Sequence, residues 1–339
     1  MKPTQFCGMV EAMLHHQTLI GLLREIQSTP TAPFHEALVA EVIRKRLADL
    51  PNVSLTEDDF GNIIAHYKKG RSKPQLAFGA HMDHPGWVRT KKEGEVFLGW
   101  VPEERLKTHP VEWFGDFGMW KLNPFVIHDG LIHSRVCDDL IGCAAIVAML
   151  MDLSKRGVDA NCYGIFTRAE EVGFIGAVKL AKKWPLPKSV RFVSLETSAA
   201  RGGAVMGDGP VIRAGDRMSL FDDAVTAELV DAGAEGKIPV QRCLLDGGSC
   251  EATAMNLYGI PAAGMSVILG NYHNCPPERG IAEEFVSLAD VKNMIKLITV
   301  TVERMAGPNG KVSSKDAMRK RIEKRVRDHE KYDRAARGK

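Results

Sequence analysis

Two hydrophobic periods run along the chain. Apolar residues recur at helical spacing in residues 18–26, where Leu19, Leu22, Leu23 and Ile26 share a face. After an STPTAP break the period resumes in residues 35–50, with Leu38, Val39, Val42, Ile43 and Leu47 on one side. Compact apolar runs of strand length occupy residues 76–81, 163–167, 190–195 and 262–268, while 144–153, 175–182, 218–230 and 288–305 read as helices. The helix from 144 lies behind an acidic pair, Asp138-Asp139, which suits the positive end of a helix dipole. Strands alternating with helices predict an α/β layer fold with a largely parallel sheet. Residues 87–132 break the rhythm. Rich in Gly, Pro, Trp and Phe, with β-like pieces at 95–98 and 124–127, they read as a small β-rich insertion between two strands of the main sheet.

Composition narrows the class without naming a chemistry. Hydrophobic residues at 45% and charged residues at 26% suit a soluble globular protein. No apolar run approaches the roughly 20 residues that span a bilayer. Glu11, His15 and His16 interrupt the apolar N-terminal residues, which is not a signal-peptide layout, so a cytoplasmic location is expected. Seven cysteines, at 7, 137, 143, 162, 243, 250 and 275, form no CxxC pair and no framework. They suit a reducing compartment and the role of small buried hydrophobes.

The net charge of +3 is uneven. Residues 311–339 hold twelve Lys/Arg against five Asp/Glu, a net of +7, leaving about −4 on the body by subtraction. Without an aromatic stacking platform, this tail reads as a solvated helix or frayed end rather than a site for nucleic acid or an acidic partner.

Acidic and His residues fall repeatedly at the ends of apolar strands, where ligands bind in open α/β sheets. His81 and Asp83 follow one run, Glu170 and Glu171 another, Glu196 a third and His273 a fourth, while Asp138 opens the long helix. Singly, each has an ordinary reading: a satisfied polar His, a solvated turn, a helix cap. Together they would repel unless a cation joined them. Imidazole nitrogens with carboxylate oxygens, and no ordered cysteine set, suit Zn²⁺ or a neighbouring divalent ion in a catalytic site.

The strings HMDHPG, CDDLIGCA, RAEEVGFIGA, SLETSA, GDGPVI and NYHN occur in the order and at about the spacing of the tetrahedral aminopeptidase family, which the chain resembles from about residue 22 to residue 305. STPTAPFHEALVAEVI and DDFGNI also look like that family's opening helices and first hairpin. The family belongs to the wider group of di-zinc peptidases and deacylases. The resemblance implies a phosphorylase/hydrolase-like three-layer αβα core with a mostly parallel mixed sheet. It also implies a catalytic domain made of residues 1–86 and 133–310, the insertion 87–132 as an oligomerisation or substrate-access element, and a basic tail 311–339.

Carried over position by position, His81, Asp138 and Glu196 would bind one metal, and Asp138, Glu171 and His273 the other, with Asp138 bridging. Asp83 would fix the His81 tautomer, Glu170 would be the general base, and the Asp138-Asp139 peptide would be cis. The resemblance thus implies a cytoplasmic aminopeptidase, a homodimer or larger, acting on peptides with a free N-terminus. It would use two divalent ions, Zn²⁺ first and Co²⁺ or Mn²⁺ as substitutes. Nucleic acid and membrane are not expected partners.

Two departures matter. Glu196 stands where the family usually has Asp, and the insertion of about 46 residues is shorter than the usual β-barrel domain. The competing readings are a deacylase or dipeptidase on the same core and a metal-binding homologue without catalysis. A nucleophile in Asp246-Gly-Gly-Ser-Cys-Glu251 lacks a GxSxG elbow around Ser249 and an orienting triad for Cys250. Whether Ser249 or Glu251 touches substrate is open at this level.

Overall fold

A computed structural model describes residues 14–307 and 314–336. Cys7, Glu11 and the outermost parts of the basic tail lie outside the described residues. Two helices open the fold, α1 (His16–Gln27) and α2 (Ala37–Leu47), followed by a hairpin of β1 (Val53–Glu57) and β2 (Ile63–Lys68). All four apolar positions expected on α1 are fully buried, so the helical period marks its core face.

After β3 (Leu76–His81), the strands β4 (Gly86–Thr90), β5 (Gly94–Leu98), β6 (Val111–Phe114) and β7 (Phe117–Trp120) form a separate four-stranded sheet in the order β5-β4-β7-β6. Trp87, Phe97 and Trp120 pack edge-on and tilted at centroid distances of 4.8–5.6 Å, giving this sheet an aromatic core of its own. The piece expected at 124–127 behaves differently. Here β8 (Val126–His128) and β9 (Leu131–Ser134) form a hairpin that joins the main sheet, because β9 pairs with a strand far along the chain, β15 (Glu284–Ser287).

The remaining elements are α3 (Leu140–Arg156), β10 (Asn161–Thr167), α4 (Ile175–Lys182), β11 (Arg191–Ala199), β12 (Val211–Gly215), α5 (Asp223–Glu235), β13 (Gln241–Leu244), α6 (Glu251–Leu257), β14 (Ala262–Gly270), α7 (Leu288–Ala306) and α8 (Ser314–Ala336). The eleven-stranded sheet runs β1-β2-β10-β3-β11-β14-β15-β9-β8, with β12 and β13 branching from β14. Its centre, β10-β3-β11-β14, is parallel, and antiparallel pairs extend it on both flanks. Every residue of β3 is buried. Helices cover both faces of these central strands, which is why they read as unbroken apolar runs rather than alternating ones. The core is thus a three-layer αβα sandwich with a mixed sheet.

Two further departures from the sequence reading stand out. The helix expected from 218 starts five residues later, at Asp223. Asp216 accepts hydrogen bonds from the Met218 and Ser219 amides and forms a turn there, and the Asp222 side chain caps the helix through the Val225 amide. Met218 and Leu220, inside the stretch expected to be helical, are 64% and 76% exposed. The second difference is β11, which runs past Glu196 to Ala199. It parts from β3 after Ser194 but stays paired with β14 as far as Leu269. Glu196 therefore sits where the sheet forks, not at a strand end.

Candidate metal centre

The C-terminal ends of β3, β10 and β14, together with the β11 fork, open onto one cavity of about 620 Å³. His81 closes β3 and is buried. Asp138 and Asp139 precede α3 and divide the work expected of the pair. Asp139 caps the helix, its Oδ1 accepting from the Gly142 amide at 3.1 Å, while Asp138 faces His81, with Oδ1 3.4 Å from Nε2. The peptide bond between them is cis. Glu196 accepts from the Ser194 hydroxyl at 2.6 Å and is buried.

Glu170 and Glu171 sit on the loop leaving β10. Ala169 and Phe174 on either side of them have φ of +55° and +57°, a left-handed conformation that costs of order 1–3 kcal/mol per non-glycine residue. Buried acceptors hold this loop. Glu36 takes the Ala169 amide at 3.0 Å, and Asp83 takes the Glu170 and Glu171 amides at 2.9 and 3.1 Å. A side chain at Gly176 would meet the Arg168 carbonyl at 2.4 Å, so only glycine lets α4 close against the loop.

His273 lies in a single 3-10 turn, Tyr272–Asn274, where it, Asn271 and Asn274 all have positive φ. Its Nδ1 donates to the Trp100 carbonyl at 2.7 Å, which leaves Nε2 directed at Glu171 Oε2, 3.2 Å away. His81 is oriented similarly. Its Nδ1 lies 3.1 Å from the Asp83 carbonyl oxygen and 3.6 Å from the Asp83 carboxylate, so the tautomer-fixing contact expected of Asp83 comes mainly from its backbone. The Asp83 carboxylate instead carries the two-glutamate loop.

Ligating atoms of His81, Asp138 and Glu196 fall within 4.8 Å of one another, as do those of Asp138, Glu171 and His273. A third such group is His81, Glu170 and Glu171. Asp138 Oδ1, Glu171 Oε1 and His273 Nε2 are buried without a hydrogen-bond partner. Orphaned buried acceptors of this kind are costly, and a cation accepting their lone pairs removes the cost. Two imidazoles among several carboxylates are the donor set of a divalent ion, so the residues present fit such a group.

The electrostatics agree. Burial lowers the His81 pKa, but the Glu170, Asp138 and Asp83 oxygens outweigh it and hold the imidazole well above its ordinary value. His273 is likewise pulled down by burial yet raised to about 9 by Glu171 and Asp138. Burial pushes Glu170 far above the usual carboxylate range, with Glu171, Glu196 and Asp83 adding to it, and pushes Glu196 to about 7. Without ions, protons hold this cluster together.

Several participants give no signal in sequence. Glu36 looks like an ordinary residue ahead of α2. Glu284 accepts the amides of Cys137 and Asp138 through one oxygen and that of His273 through the other. Arg213, on β12, lines the cavity together with Arg201 and Arg217. His84 and Asn274, by contrast, lie inside the HMDHPG and NYHN motifs; His84 donates to the Asp138 carbonyl at 2.8 Å and lies 3.0 Å from the Asn274 side-chain oxygen. The glycine-rich segment resolves as well: Gly247, Gly248 and Ser249 line the cavity, while Glu251 does not and is wholly buried. Burial drives the Cys250 thiol pKa upward, which removes it as a nucleophile.

The fold is similar to the TET1 peptidase of Pyrococcus horikoshii, described as assembling into a tetrahedron or a large octahedral shell (TM-score 0.67, 21% identity, covering 84% of this chain and 99% of that one). It is also similar to a TET aminopeptidase from a marine-sediment thaumarchaeon (0.71, 19%, 85% and 97%) and to the aminopeptidase PepT of Bacillus cereus (0.59, 16%, 88% and 100%). At these identities the likeness speaks for the fold. A family model described as M42 glutamyl aminopeptidase matches residues 103–297, over half of the chain and inclusive of every candidate ligand except His81. With that match, the fold and the histidine–carboxylate cluster in hand, the chain belongs to the M42 glutamyl aminopeptidase family and is a hydrolase of the metallopeptidase class.

Proposed function

We propose that the protein is an aminopeptidase that uses two divalent ions, zinc by default, to release N-terminal residues from peptides. The observation that carries this reading is the convergence of unpartnered ligand atoms, Asp138 Oδ1, Glu171 Oε1 and His273 Nε2, at the floor of a large cavity. His81, Asp138 and Glu196 would hold one ion, and Asp138, Glu171 and His273 the other. When bound, the ions lower the pKa of an attacking water and polarise the scissile carbonyl. Glu170 is the one glutamate of the loop left to handle protons. It takes a proton from the attacking water and passes it to the leaving amine. Asp83 keeps Glu170 in reach by gripping its backbone.

Arg201, Arg213 and Arg217 give the cavity a cationic wall. Arg213 is 3% exposed and its Nε has no partner, so a carboxylate in the cavity would meet an already desolvated guanidinium. This favours an acidic N-terminal residue, in keeping with the family's description. The same wall, with Glu196, favours a second reading: a deacylase gripping the free carboxylate of an N-acylated amino acid.

The test is a panel of free-amine peptides beginning with Glu, Asp, Leu or Lys, set beside N-acylated amino acids, assayed before and after chelation. Chelator-sensitive release of Glu or Asp from free-amine peptides is expected. Turnover of acylated amino acids alone would replace this reading with the second. The six described cysteines are free thiols, which supports a cytoplasmic setting. The small sheet of β4–β7 is a candidate element for substrate access or self-association, and the chain is proposed to form a homo-oligomer.

A further inference from the structure

Glu284 is fully buried at the start of β15, and neither carboxylate oxygen faces the cavity. Its Oε1 accepts the His273 amide at 2.9 Å, and its Oε2 accepts the Cys137 and Asp138 amides at 2.7 and 3.1 Å. One side chain thus ties together two chain segments, residues 137–138 and 273, that are more than 130 positions apart in sequence. Both carry a candidate ligand of the same ion. From this geometry we infer that Glu284 is a positioning residue that sets the affinity of the ion held by Asp138, Glu171 and His273. The inference rests on the two-ion reading above and assigns a role within it.

The selectivity follows from counting supports. Two of that group's three ligands, Asp138 and His273, hang by their amides from Glu284. In the group of His81, Asp138 and Glu196, only Asp138 does, and it has a second anchor where His84 donates to its carbonyl. His81 and Glu196 sit on hydrogen-bonded strands of the central sheet. His273 has no such frame: it occupies a three-residue turn flanked by Asn271 and Asn274 in left-handed conformations. A rigid support matters most where the local backbone supplies least of its own rigidity. Gln is a sharp probe here, because its amide nitrogen would face an N–H where a carboxylate oxygen now accepts.

The experiment titrates chelated full-length protein with Co²⁺ alone, following visible absorption and occupancy by equilibrium dialysis, for the wild type and for Glu284→Gln. The wild type is expected to take up two ions. Glu284→Gln should keep the first at wild-type affinity, within about two-fold, and bind the second about 10–100-fold more weakly. Its chelated form should melt somewhat below the chelated wild type, because a buried amide then faces an N–H, and the readout is the difference between the two ions. Two ions at wild-type affinity would overturn the inference. So would equal weakening of both ions, the signature of a merely structural residue. If Glu284→Gln does not fold, Glu284→Asp in the same titration, keeping the charge and both oxygens on a shorter arm, should still show the selective loss; full affinity for both ions would overturn the inference. A wild type that binds fewer than two ions would instead overturn the two-ion reading beneath it.

Discussion

Glu170 and Glu171 are adjacent in sequence and differ in surroundings. Glu171 Oε2 faces His273 Nε2, while Glu170 stands 3.9 Å from His81 Nε2 at the cavity side. Replacing Glu170 by Gln keeps shape and removes the proposed proton carrier, so kcat should fall by about 10²–10⁴ with metal content unchanged; unchanged turnover would remove Glu170 from its proposed role. Glu171→Gln should instead lower the metal content itself. Arg213→Met should raise KM for peptides with an acidic first residue and leave neutral ones near the wild type. An equal change for both classes would show that the cationic wall does not select.

The titrating groups give a direction for pH. In the metal-free protein, burial raises Glu196 to about 7 and Glu251 to about 8, and carboxylate neighbours raise His273 to about 9 against the opposing pull of burial. Each binds more protons folded than unfolded between its ordinary and its raised value. Stability of the chelated protein should therefore fall as pH rises from about 5 to 9. Bound ions displace those protons, so the gain in melting temperature on adding Zn²⁺ should grow over the same range. Melting curves with and without chelator check both signs; a gain that shrinks with pH would contradict them.

Among elements, those carried by period and burial are the most legible. Residues 76–81 and 175–182 are a strand and a helix with the bounds their sequence suggests. The start of α5 is not legible, because apolar Met218 and Leu220 run directly up to the helix while Asp216 and Asp222 turn the chain there. Asp83, Glu170 and His273 are legible as candidate site residues because they stand in short motifs. Glu36, Arg213 and Glu284 are not, since their roles depend on which distant amide or cavity wall the fold brings to them. The tail helix is a test of its own. The side chains of residues 319–332 on α8 are exposed, so deleting residues 319–339 should shift the melting temperature by less than about 2 °C and leave kcat/KM alone. A larger loss would mean that this exposed stretch of α8 contributes to the fold.

In the molecule as a whole, the sheet does the positioning. Parallel strands at its centre deliver His81, the Glu170–Glu171 loop and the His273 turn to one side, and the fork after Ser194 places Glu196 among them. Antiparallel additions supply β15 and with it Glu284, while the small inserted sheet sends Trp100 back to orient His273. Arg105 fastens that excursion through the carbonyls of Pro276 and Gly280. The site is therefore assembled from sequence-distant segments, which is why motifs point to its candidate ligands and only the fold reveals their supports.

Metal content tests the two-ion centre most directly. Elemental analysis of the purified protein, with peptide hydrolysis followed on the same samples, should find about two divalent ions per chain, and chelation should remove ions and activity together. Fewer than two ions after Zn²⁺ or Co²⁺ has been supplied, or hydrolysis that persists in metal-free protein, would contradict it.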